Sequence, residues 1–205
     1  MKWICFFFFL LAHTLYAQKI VKKSFINPKI EAIILNVTNS FELFVDTAPG
    51  NEVLVEAAID GEYCNDLLVN VKTSGNTLFI DTEFQPNFKK PNDKLSAHKV
   101  ISIALKLLLP EQKRVTIFGT GCHVTAKGSY EKLKITLSDG SCHLKSISGT
   151  AVVATQSGTI SVLARNAKIK ATSKYGRVGR NQIPSGDTFY DVSSVTGDIL
   201  LDKIE

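Results

Sequence analysis

The sequence predicts an all-β fold, a β-solenoid of right-handed β-helix type with short irregular coils, on three observations. A phrase recurs through the second half: Val115, Ile135, Val153, Ile169 and Val192 are each followed seven positions on by Cys122, Cys142, Ile160, Gly176 and Ile199. Nine positions on stand Val124, Leu144, Val162, Val178 and Leu201. Turn phrases fill the intervals, as in Gly119-Thr120-Gly121, Ser138-Asp139-Gly140, Gln156-Ser157-Gly158 and Val195-Thr196-Gly197. Finally, apolar and polar residues alternate along most of the chain, with no stretch of helical period. A strand–turn–strand unit repeated about five times buries by stacking what one copy cannot.

The chain of 205 residues opens on a segment outside this fold. Lys2, an apolar run with Phe6 to Phe9 and the small Ala17 read as a secretory signal peptide over 1–17, cut before Gln18. The run is shorter than the roughly 20 residues a bilayer requires, which argues against an anchor. Residues 18–30 form a short polar lead-in. Strands are expected over 31–37, 41–46, 53–58 and 67–72, separated by Asn39-Ser40, Pro49-Gly50-Asn51 and Asp60-Gly61. Leu78 and Ile80 stand seven and nine positions after Val71, so the repeat is expected to begin here in looser form. The domain thus spans 31–205 as two stacked halves, a looser one at 31–83 and a regular one at 99–205. Between them 84–98, with Pro86 and Pro91, reads as a loop. Residues 181–187, with Pro184 and Gly186, interrupt the last coil. No segment after the leader spans a membrane, because Ser102, Lys106 and Pro110 break the one long apolar run.

Charge divides the chain. Residues 31–83 carry ten acids and one lysine, whereas 113–180 carry twelve basic residues against Glu131 and Asp139. Two surfaces with different electrostatic roles are one reading; mutual docking of the two halves is the other. Three cysteines follow the leader, Cys64, Cys122 and Cys142, which is no disulfide framework.

Alternation orients the repeat. Val115, Ile135, Val153 and Ile169 face inward in a column, as do Cys122, Cys142 and Ile160. His123 and His143 face out, so neither Cys-His pair closes on one metal ion, and no metal site is expected from them. Neighbouring coils lie about 4.8 Å apart, which leaves a Cys122–Cys142 disulfide and two separate core thiols both open. Arg114, Lys134 and Lys168 face out, with Lys145 and Arg177 nearby in the repeat. Like charges one coil apart repel by about 0.8 kcal/mol even in water. Such a ladder is either a solvated face or a track for an anionic polymer. Nucleic acid is disfavoured by export and by the lack of basic-aromatic interleaving. No cofactor motif and no catalytic box is present, and Asp187, Asp191 and Asp198 in the final coil are the one cluster of acids left to consider.

The run over 101–109, then Pro110-Glu111, Val115-Thr116-Ile117-Phe118-Gly119-Thr120-Gly121 and the spaced serine-glycine turns resembles bacterial adhesin-like domains of the head GIN type and their sister adhesin domain of unknown function. The resemblance covers about 31–205. It implies an exported β-helical protein of the cell envelope with an adhesin-like role and no family-specific site residues. Ser138-Asp139-Gly140 and Ser173-Lys174-Tyr175-Gly176 depart from the usual serine-glycine turn, and the repeat is unusually basic. The expected function is therefore a non-enzymatic binding module, periplasmic, at the outer surface or extracellular. Its expected partner is an anionic polysaccharide on the basic face. An envelope structural or stress-linked module binding protein partners is the alternative, and a polysaccharide-active enzyme a more distant one.

Overall fold

The computed structural model describes residues 19–61, 66–86 and 101–204. The expected signal peptide, Cys64 and most of the expected 84–98 loop lie outside the described residues. Fourteen strands are described: β1 (Lys19–Ile26), β2 (Ala32–Asn36), β3 (Glu42–Ala48), β4 (Glu52–Gly61), β5 (Leu67–Ser74), β6 (Thr77–Phe84) and β7 (Ile101–Pro110). Then come β8 (Arg114–Gly119), β9 (His123–Leu137), β10 (Cys142–Thr155), β11 (Ile160–Ala164), β12 (Lys168–Ser173), β13 (Phe189–Ser194) and β14 (Ile199–Lys203).

These strands form one mixed sheet, and the expected solenoid of two stacked halves is not what forms. Nine strands follow the order β1-β4-β7-β3-β9-β8-β2-β6-β5, with β10 to β14 branching from β9. The pairings β1–β4, β4–β7 and β5–β6 are antiparallel and stand beside parallel ones. The phrase from Val71 to Ile80, expected to be a first coil, is an antiparallel hairpin in which Val71 pairs with Ile80. Gly75 sits at its turn with a positive φ of 57°. Alternation is the same in a hairpin and in a stacked coil, so the apolar spacing alone did not separate them. Residues 19–26, read as a lead-in, are a strand paired along its length with β4.

The end strands of the nine-strand path meet through side chains. Lys19 Nζ donates to the Leu67 carbonyl oxygen at 3.2 Å and Lys23 Nζ to that of Val69 at 2.6 Å. Both lysines are on one face of β1, and both acceptors are on β5. An ammonium thus takes the place of a missing ladder, which makes the sheet barrel-like and covers the edge of β5.

Inside lies a single apolar cluster, from Ile30 to Leu201. Residues 18 apart pair in register: Val115 with Leu133, Ile117 with Ile135, Ile135 with Val153, Val124 with Cys142 and Cys142 with Ile160. The expected column of Val115, Ile135, Val153 and Ile169 is accordingly split. Val115 runs with Leu133, Ala151, Tyr190 and Ile169, whereas Ile135 runs with Ile117, Val153 and Val192. Cys122 likewise stands outside the column of Val124, Cys142 and Ile160. The expected spacings of 20 and 16 residues arose from matching apolar residues across turns, where two neighbouring inward positions look alike.

β9 and β10 each bend and so serve both sides of the core. The first part of β9 pairs with β3 and its last part with β8. At the bends, Gly128 and Gly149 have φ of 106° and 102°, a region that favours glycine. Tyr130 and Tyr190 fill the space beneath, fully buried, and both hydroxyls are satisfied by backbone.

Candidate functional site

The outer face of β4, β7, β3, β9 and β10 carries a groove of about 1100 Å³. Its side chains follow from register. Glu56 lies opposite Lys22 and Lys106, Lys106 opposite Phe44, and Phe44 opposite Thr125. In the next outward row Leu54 lies opposite Leu108, Leu108 opposite Asp46, and Lys127 opposite Lys145. Phe44 and Leu54 are 44% and 39% exposed, so apolar surface stays open to water on the groove floor.

The charges around that floor are unequal. Lys22 pairs with Glu56 at 3.2 Å and Lys127 with Asp46 at 2.8 Å. Lys106 and Lys145 line the same groove with no ion pair among the described residues. Exposed pairs of this kind contribute about 0–1 kcal/mol each, so an incoming anion can displace them. The groove thus offers open apolar area next to cations, two of which are uncommitted.

Of the five expected binding residues, only Lys145 belongs to this groove. Arg114, Lys134 and Lys168 lie on the other wall and do not form one ladder. Arg114 is opposite Lys132 and pairs with Glu31 at 3.4 Å; Lys134 is opposite Thr116 and Val152; Lys168 is opposite Phe189. The 18-residue register, rather than the expected 20 and 16, separates them. Arg177 is exposed at the turn before Val178, its backbone N–H bonded to Asp198 at 2.7 Å. Asp191 is held by Lys170 at 3.2 Å, and Asp198 accepts from the Arg177 backbone N–H. Cys122 and Cys142 are buried free thiols. Burial, with Glu42 nearby, pushes the Cys122 thiol up to about 12; burial, with Cys122 nearby, raises that of Cys142 as well.

Sequence reasoning missed Lys22 and Lys106 as groove residues. A signal existed for Lys106: a lysine within the apolar run of β7 must stand on its outward parity. That β1, β4 and β7 share a face with β9 and β10 was not readable, because it depends on pairings such as Glu42 with His123, 81 residues apart.

Among the described residues no helix is long and apolar enough to cross a membrane. No family model matches the chain, and no curated protein matches it. The fold is similar to that of a candidate cell adhesion protein from Clostridium sporogenes, with a TM-score of 0.68 at 14% identity, over 92% of this chain and 100% of that one. A candidate adhesin from Bacteroides fragilis aligns over 92% of this chain and 98% of its own at 13% identity, with a TM-score of 0.38. The Clostridium likeness establishes a shared all-β fold.

Proposed function

We propose that the protein is an exported, non-enzymatic, adhesin-like binding module of the bacterial envelope that takes an anionic polysaccharide in the groove. One observation carries the reading: among the described residues, Lys106 and Lys145 stand without ion-pair partners beside the open apolar floor of Phe44, Leu54 and Leu108. Sugar rings have apolar faces that pack on such a floor, and uronate or sulfate groups satisfy lysine ammonium groups. The fold shared with the Clostridium protein supports the adhesin-like role.

The test is retention of the mature protein on immobilised polygalacturonate and dextran sulfate at low salt. Lys106→Glu with Lys145→Glu should weaken binding by roughly tenfold or more, about 1.4 kcal/mol. Lys134→Glu, on the other wall, should leave it near wild type. Equal losses from both sets would indicate general charge attraction and reject the groove. Salt-insensitive capture of a defined envelope protein, with no glycan retention, would favour the protein-partner alternative instead.

A further inference from the structure

The two Cys-His pairs of the sequence have separate fates. Alternation turns Cys122 and Cys142 inward as buried thiols and leaves His123 exposed and His143 half-buried on the outside. Register then gathers the histidines. Val124 pairs with Cys142 and Thr125 with His143, so Ser141 falls opposite His123 and His143 stands two residues further on the same face. His123 Nδ1 is 2.8 Å from Ser141 Oγ, and His143 Nε2 is 3.4 Å from that same oxygen. Two ring nitrogens from adjacent strands converge on one point. The hydroxyl has a single proton and can donate to only one of them.

We propose that His123 and His143, with Ser141 between them, form a surface site for a divalent transition-metal ion of the imidazole-preferring kind, Cu²⁺, Ni²⁺ or Zn²⁺. Imidazole suits these ions, and each nitrogen would approach to about 2.0–2.1 Å. Phe41 packs against the His123 ring with centroids 5.2 Å apart at 79° and restrains its orientation. Glu42 lies opposite His123 on β3 and adds a negative charge beside the ion; Lys145, next but one to His143, opposes it. The thiols do not compete, because they face the core. No three His, Cys, Asp or Glu side chains among the described residues are grouped to hold a metal, so hydroxyl and water complete the shell and binding is expected in the micromolar range.

The site is tested by titrating the mature protein with Cu²⁺, Ni²⁺ and Zn²⁺ by calorimetry, with electron paramagnetic resonance of the Cu²⁺ form. The expected result is one ion per chain with nitrogen hyperfine structure from two imidazoles. His123→Ala and His143→Ala should each weaken binding about tenfold or more, and His123→Gln serves should the alanine variant fold poorly. His98→Ala should leave binding unchanged. A single-site isotherm that survives the His123→Ala, His143→Ala double variant overturns the proposal. So does dependence on His98, or affinity no better than millimolar for all three ions.

Discussion

Lys23 Nζ sits 2.6 Å from the carbonyl oxygen of Val69, and that contact joins the first strand of the nine-strand path to its last. Lys19 makes the same kind of contact with Leu67 at 3.2 Å. Two side chains thereby do what a backbone ladder does elsewhere in the sheet. A charge-assisted hydrogen bond is worth about 1.5–3 kcal/mol, partly offset here by exposure. Lys23→Met should destabilise by about 1–2 kcal/mol in urea unfolding, and Lys23→Arg by less. Amide exchange on β5 should rise with it. An unchanged midpoint and unchanged exchange would show that the two edges hold without this contact.

Stacked turns predict a second effect. A methyl group built on Gly158 would overlap the Gly140 carbonyl oxygen, and one on Gly197 would overlap that of Gly158. Backbone lies directly above and below, so nothing can swing aside. Gly158→Ala should cost about 2–4 kcal/mol. Gly121, beside which a Cβ meets nothing within 4 Å, is the control, and Gly121→Ala should cost well under 1 kcal/mol. Similar thermal midpoints for the two variants would contradict the stacking.

Tyr190 serves the bend in β10. Its hydroxyl accepts from Ile147 N–H at 3.2 Å and donates to the Ile147 carbonyl at 3.3 Å, both buried. Tyr190→Phe removes this partner from two backbone groups without opening a large cavity. The expected loss is about 1–3 kcal/mol, measured by chemical unfolding, with the circular dichroism of the sheet retained. A neutral substitution would mean that the backbone at Ile147 is satisfied in another way.

Alkali should unfold the protein. Burial raises the Cys122 thiol to about 12 from 9.0 and also raises Cys142, Tyr130 and Tyr190 above their ordinary values. Each group is neutral in the folded state, whereas the unfolded chain releases its proton at a lower pH. The folded state therefore binds more protons, and stability falls as pH rises. The thiol contribution is complete below about 9 and is lost between there and about 12. Cys142→Ala should flatten the slope of unfolding free energy against pH in that window. An unaltered slope would assign the alkaline loss to other groups.

That the chain is all-β, and the parity of its strands, were legible in the sequence, whereas the expected solenoid was not what formed. Val124, Leu144 and Val162 face inward and His123, His143 and Lys145 outward, as alternation alone requires, because side chains on a strand turn over every residue. The turn phrases also marked real turns, with Gly140 and Gly158 at their tightest points. Register was not legible. Ile117 and Val115 are equally good inward matches for Ile135, and only the closed sheet selects the first.

Tertiary structure also decided direction. Val71 and Ile80 belong to a hairpin and Val124 and Cys142 to a parallel ladder, yet both pairs come from similar alternating segments. Binding surface depends on the same choice. The lysines expected as one ladder are dispersed, while Lys106 and Lys145, 39 residues apart, come to line one groove. Alternation is a property of a few neighbouring residues and can be read from them. Pairing depends on how the whole sheet buries its apolar faces and covers its edges, a free-energy comparison that no local segment contains.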